Sequence, residues 1–157
     1  MRDLPRRHLL AGAAAGLSIG CSAQARAAYR EDIGVASVGE PIEIEDIAPG
    51  QWRQYQLEGL PIFVRRLTRE QIAAATTRRP TGGEWIVVYG VCTHAGCLVV
   101  PGQGSYGGFA CYCHGSQYDP LGQVRHGPAR LDLAVVPHVH RDGKLVLLGV
   151  LPHGLPG

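Results

Sequence analysis

The sequence has no internal repeat and no low-complexity tract, which sets aside solenoids and biased, unstructured tails. It also lacks the run of ~20 predominantly apolar residues that a membrane-spanning helix needs. The best stretch runs from Leu9 to about Gly20, is weakly hydrophobic, and is followed by Ser22, Gln24 and Arg26. Strong charge of one sign is missing too. Across 157 residues, 15 Lys and Arg against 13 Asp and Glu give a formal +2. Setting aside residues 1–27, with Arg2, Arg6, Arg7 and Arg26 against Asp3, leaves 11 basic and 12 acidic residues, a formal −1. That balance excludes a nucleic-acid footprint, and the loose group Arg65, Arg66, Arg69, Arg78 and Arg79 reads as a solvated face. Glycine, by contrast, is abundant: 22 residues, about twice the usual ~7 %, which favours a turn-rich β protein. The length suits one small domain with an N-terminal appendage.

Four of the five cysteines fall in two short boxes. The first is Cys92-Thr93-His94-Ala95-Gly96-Cys97, the second Cys111-Tyr112-Cys113-His114-Gly115-Ser116. Two thiolates and two imidazoles suit a [2Fe–2S] cluster in which histidines replace cysteines on one iron. A structural zinc accepts Cys₂His₂ equally well. Zinc does not account for Cys97 and Cys113, which sit at matching places in the two boxes and, if joined, would tie the two loops together.

C-T-H-x-G-C followed by C-x-C-H-G-S resembles the Rieske protein family, in its disulfide-containing, high-potential branch. Gly107-Gly108-Phe109 before the second box, Gln117-Tyr118-Asp119 after it and Gly127-Pro128-Ala129 beyond extend the match. So do Pro61 to Thr68 and Glu84 to Gly90, which resemble the iron–sulfur subunit of ubiquinol–cytochrome c reductase. The similarity spans roughly residues 40 to 150. It implies an all-β fold, an antiparallel β-sandwich with one short helix and a small cluster-binding subdomain whose loops are residues 91–98 and 111–119. It implies one [2Fe–2S] cluster with Cys92 and Cys111 on the inner iron and His94 and His114 on the outer one, a Cys97–Cys113 disulfide, and hydrogen bonds from Ser116 and Tyr118 to sulfur. Neutral imidazoles lower the cluster's negative charge, raising its potential into the range of about −150 to +300 mV, and sulfur hydrogen bonds raise it further.

The activity so implied is that of the iron–sulfur subunit of a ubiquinol–cytochrome c reductase. His114 meets the quinol and takes a proton as the cluster takes one electron, His94 shares the proton chemistry, and the electron passes to a c-type cytochrome beside a cytochrome b. The alternative is a free periplasmic high-potential electron carrier. A ring-dioxygenase ferredoxin is disfavoured, since that branch lacks the extra cysteine pair. The chain departs from the quinol-oxidising pattern at Ala95, usually leucine, and at Tyr112 and Arg130, both usually proline, which bears on partner fit.

The N-terminus reads as an export signal over residues 1–28. Arg6-Arg7-His8-Leu9-Leu10 is a twin-arginine pattern, with an ordinary secretory signal as the alternative. Ala23-Gln24-Ala25 and Ala25-Arg26-Ala27 offer small-residue cleavage sites; Ser18 to Cys21 faintly suggests a lipoprotein box but lacks its leucine. Cleaved, the protein is soluble; retained, the segment is a membrane anchor and residues 29–40 its tether. Either way the location is the periplasmic side of a bacterial inner membrane, an oxidising compartment in which a structural disulfide persists.

Residues 41–157 form the domain. Ile42 and Ile44 alternate with Glu43 and Glu45; Trp52 to Leu57, Leu60 to Arg66, Glu84 to Tyr89 and Lys144 to Val150 read as strands. Thr68 and Gln71 form a capping box for a short helix over Arg69 to Ala75. Leu131, Leu133 and Val135 alternate, Val99 to Phe109 is a glycine-rich hairpin, and Asp142-Gly143 is a two-residue hairpin turn. His126, His138, His140 and His153 lie outside the ligand spacing and read as surface or turn residues.

Overall fold

A computed structural model describes residues 34–75 and 83–149. The twin-arginine segment, Cys21, Arg78, Arg79 and His153 lie outside them. The architecture is three small sheets in layers around two cores.

The central layer is built on β3 (Trp52–Leu57), β4 (Leu60–Arg66) and β5 (Trp85–Tyr89). These pair antiparallel, with Leu57 opposite Leu60 and Val64 opposite Val87. Both β4 and β5 carry almost unbroken apolar runs, Ile62-Phe63-Val64 and Trp85-Ile86-Val87-Val88-Tyr89, because both faces of this sheet are covered. Ile62, Val64, Trp85, Val87 and Tyr89 face one core; Phe63, Ile86 and Val88 face the other.

On the first face lies the sheet of β2 (Pro41–Glu43), β10 (His138–Arg141) and β11 (Lys144–Leu147), in the order β10-β11-β2. It contributes Ile42, Leu145 and Leu147 to the shared core. On the second face lies the subdomain of β6 (Val100–Pro101), β7 (Phe109–Ala110), β8 (Gln117–Tyr118) and β9 (Val124–His126), paired in chain order. Phe109 stacks against Phe63 of β4 with ring centroids 5.5 Å apart. Burial of an aromatic of this kind is worth roughly 3–5 kcal/mol by truncation, so the subdomain is seated firmly on the central sheet. Arg65, buried on β4, adds a polar link by donating from Nη2 to the Gly107 carbonyl at 3.2 Å. Burial depresses its guanidinium, and the charge of Asp119 opposes that.

The short helix α1 (Arg69–Ala73) begins as its capping box requires: Gln71 N donates to Thr68 Oγ1 at 3.2 Å, and Thr68 N to Gln71 Oε1 at 2.9 Å. Three features differ from the sequence reading. Within the stretch expected as a tether, Gly34–Val35 forms β1, which joins the central sheet parallel to β3 through pairs such as Gly34 with Tyr55, and Ala36 is buried. The alternation Leu131, Leu133, Val135 makes no strand: Leu131 is exposed, Leu133 N instead bonds Gly122 O, and Val135 keeps one bridge to Val88. His138 is buried rather than superficial, its Nδ1 2.8 Å from Val136 O and its Nε2 3.4 Å from Trp85 O, so it sutures β10 to β5.

Candidate metal centre

Each box closes a tight hairpin at the same end of the molecule, and both use one backbone solution. In the first, Val91 bridges Leu98, Cys92 N donates to Cys97 O at 2.7 Å, and Gly96 N to Cys92 O at 3.0 Å. In the second, Ala110 pairs with Gln117, Cys111 N donates to Ser116 O at 2.8 Å, and Gly115 N to Cys111 O at 2.9 Å. The fifth residue of each loop is a glycine at positive φ, Gly96 at 72° and Gly115 at 84°. An added Cβ would meet nothing within 4 Å at either, so the glycines are required by conformation and not by space.

This common frame corrects one expectation. Cys92 corresponds to Cys111 and Gly96 to Gly115, but Cys97 then corresponds to Ser116, and Cys113 to His94. The two remaining cysteines do not occupy matching places. They are nonetheless joined: Cys97 and Cys113 form a disulfide, with Cα atoms 6.6 Å apart, that bridges the tips of the loops. Their sulfurs and that of Cys111 lie within 4.8 Å of one another, but bonded together Cys97 and Cys113 have no thiolate to offer a metal. Among the described residues Cys92 and Cys111 are the free thiols, and both are rooted in the second core with Val99, Phe109 and Tyr118.

Above these two sulfurs stand the two imidazoles, His94 half-buried and His114 exposed. Their Nδ1 atoms face each other at 3.3 Å, with ring planes 81° apart. A tetrahedral metal bound to two imidazoles at about 2.0–2.1 Å holds their nitrogens about 3.3–3.4 Å apart. The histidine pair is therefore set as a chelate, sharing an aim through Nδ1 and leaving each Nε2 directed away from it. Buried thiols below and imidazoles at the surface fit a [2Fe–2S] group with chemically different irons.

The surroundings of the thiols stabilise negative charge on sulfur. The Cys92 thiol is drawn down to about 5, first by the Cys111 thiol hydrogen-bonded to it, against burial, then by the Tyr118 hydroxyl, the His94 amide and the Ser116 hydroxyl. Cys111 is pushed up by the same contact and by burial, while the amides of Cys113 and His114 act the other way. Tyr118 is held above the usual phenol range, by burial and then by the neighbouring Cys92, and so keeps its proton to donate.

Thr93, which the sequence reading left without a role, organises the rest. Its Oγ1 donates to Leu131 O at 2.6 Å, and its amide donates to Tyr118 Oη at 3.3 Å. The single proton on Tyr118 Oη then has two acceptors, Thr93 Oγ1 at 3.2 Å and Cys92 Sγ at 3.3 Å. Ser116 Oγ accepts from Ala129 N at 3.1 Å, which leaves its own proton free for sulfur. The loop 127–131 is thus fastened to both boxes. It lies so close that a Cβ at Gly127, where φ is 104°, would come within 2.4 Å of Ser116 Cα. Tyr112 is exposed and braces the second box, its hydroxyl donating to Gln103 Oε1 at 3.2 Å; Ala95 and Arg130 are exposed at the same end.

The profile of the Rieske [2Fe–2S] domain matches residues 40–137. The ubiquinol–cytochrome c reductase iron–sulfur subunit of Rickettsia prowazekii (strain Madrid E) is 38 % identical over 123 residues, covering 69 % of this chain and 70 % of that protein. That of Blastochloris viridis is 38 % identical over 136 residues, covering 75 % of each. Among solved structures, a chain of a hyperthermophilic respiratory Complex III superposes with a TM-score of 0.53 at 29 % identity, covering 69 % of this chain and 73 % of that one.

Proposed function

The chain belongs to the Rieske [2Fe–2S] family, and from that premise we propose that it is the iron–sulfur subunit of a ubiquinol–cytochrome c reductase. As a family member it carries one [2Fe–2S] cluster and transfers electrons. The finer reading rests on one observation, the facing Nδ1 atoms of His94 and His114 above two buried thiols.

In this reading Cys92 and Cys111 hold the inner iron and His94 and His114 the outer one. Bound, the cluster supplies a reversible one-electron step at high potential. His114, the more exposed imidazole, uses Nε2 to receive the hydroxyl proton of a quinol, while His94 shares the proton from its own Nε2. The quinol loses one electron and one proton in that encounter, and the electron passes on to a c-type cytochrome. Ser116 and Tyr118 donate to sulfur and favour the reduced state. The chain works on the periplasmic side of the inner membrane, delivered by the twin-arginine segment. Purification with b and c haems from membranes supports the subunit; a clipped protein in the soluble fraction supports a free carrier.

Two measurements bear on the chemistry. If Nε2 protons travel with the electron, the midpoint potential is flat in acid and falls at higher pH by about 59 mV per unit for each proton coupled. A redox titration of the cluster-loaded protein giving one potential from acid to alkali would remove the proton-coupled role of His94 and His114. Ser116→Ala and Tyr118→Phe each delete one donor to sulfur, worth about 1.5–3 kcal/mol for a charged acceptor. For a one-electron couple this lowers the potential by about 60–130 mV with the cluster still in place. Unaltered potentials in both variants would show that neither hydroxyl serves the sulfurs.

A further inference from the structure

Charge is distributed unevenly along this nearly neutral chain. Glu40, Glu43, Glu45, Asp46 and Glu58 lie on or beside β2 and the β3–β4 hairpin, in the part of the fold that does not carry the boxes. The three segments that make the metal-binding end, residues 91–98, 111–118 and 125–131, contain no carboxylate at all. Their charged residues are Arg125 and Arg130, both exposed. The place of Arg130 is fixed by its neighbours: Ala129 N is bonded to Ser116 Oγ in one box, and Leu131 O to Thr93 Oγ1 in the other. Arg130 therefore stands on the rim between the two boxes. Arg125 lies over the Tyr106 ring, with its guanidinium carbon 5.9 Å from the centroid. Leu131 is 54 % exposed and Tyr112 47 %, so the same rim offers apolar surface.

We infer that the electron leaves this chain through an electropositive, partly apolar tip that docks on an acidic face of its protein acceptor. The inference rests on the reading of His114 as the outward ligand, and names the kind of surface that ligand meets. One electron passes from the reduced centre to an oxidised metal in the partner. No bond forms between the two, and the Nε2 proton of His114 goes to solvent. Net charge and local charge give opposite expectations here, since the chain beyond residue 27 carries 11 basic and 12 acidic residues while the tip is cationic. Encounter rates follow the local field within a screening length, about 10 Å at 0.1 M salt.

Small redox probes of opposite charge decide between them. The cluster-loaded full chain, reduced, is mixed in stopped flow with hexacyanoferrate(III) or with tris(phenanthroline)cobalt(III) at one fixed pH. With a cationic exit, oxidation by the anion slows about five- to tenfold as salt rises from ~0.01 to ~0.5 M, and oxidation by the cation accelerates. Arg130→Glu removes or inverts both slopes, Arg125→Gln weakens them, and Arg141→Glu, on β10, leaves them alone. The reduction potential of each variant, measured in parallel, stays within a few-fold equivalent in driving force. A c-type cytochrome with an acidic haem edge should then show the salt response of the anion, and one with a basic edge that of the cation. Slopes that follow the net charge, or that survive Arg130→Glu, would overturn the docking proposal and leave the electron-transfer reading standing. Failure to exchange electrons with either probe would take that reading away, and the docking with it.

Discussion

Cys92→Ala, Cys111→Ala, His94→Ala and His114→Ala should each yield a chain without iron, whereas His126→Ala and His140→Ala should keep the full complement. The two cysteines sit in the core beside Val99, Phe109 and Tyr118, so no water or neighbouring ligand can replace a lost thiolate there. The two histidines share one target through Nδ1 atoms 3.3 Å apart, and removing either leaves an iron half-ligated at the surface. The effect is the largest available: from two irons and two acid-labile sulfides per chain, as a cluster of this class requires, to none. Iron, sulfide and zinc measured together on the purified variants check it. One zinc per chain with no sulfide in the parent, or iron retained by His114→Ala, would refute the ligand assignment.

Opening the bridge ranks second. The disulfide joins residues 16 apart in sequence, and closing a loop of that size is worth about 3 kcal/mol through the unfolded chain. Its location at the tips of both boxes concentrates that loss on the cluster loops, so the Cys97→Ser/Cys113→Ser pair should bleach several-fold faster and hold its cluster at a lower potential. The double variant is the cleaner experiment. A single remaining thiol would lie within 4.8 Å of Cys111 Sγ and could present a third sulfur to the metal. Absorbance followed over hours and a redox titration give the answer; parent-like bleaching and potential would make the bridge incidental.

The features legible in the sequence were the locally encoded ones. The capping box of Thr68 and Gln71, the apolar runs of β4 and β5, and the two cysteine–histidine boxes each announce themselves within a few residues. What stayed hidden depends on partners far along the chain. The parallel pairing of Gly34–Val35 with β3 is specified by the edge of a sheet still to be built. Leu131 looked like a strand residue because alternation cannot reveal that its carbonyl is claimed by Thr93, 38 residues earlier. His138 looked superficial for the same reason: its burial is a contact with Trp85, 53 residues away. The matching of the boxes was misjudged because it was read from side chains. The main-chain bonds align Cys97 with Ser116, and only the folded loops make that visible.

Those main-chain bonds have a further consequence. Because Cys92 and Cys111 spend their own amides in closing the loops, the amides just after them turn inward. His94 N lies on the Cys92 sulfur, and Cys113 N and His114 N on that of Cys111. Each loop is a peptide nest, a concavity of N–H dipoles that favours an anion whatever side chains surround it. Mutagenesis of Ser116 and Tyr118 can therefore remove only the adjustable part of the redox potential. Beneath it is a floor set by the backbone, which belongs to the shape of the two hairpins and is inherited by every sequence that folds into them.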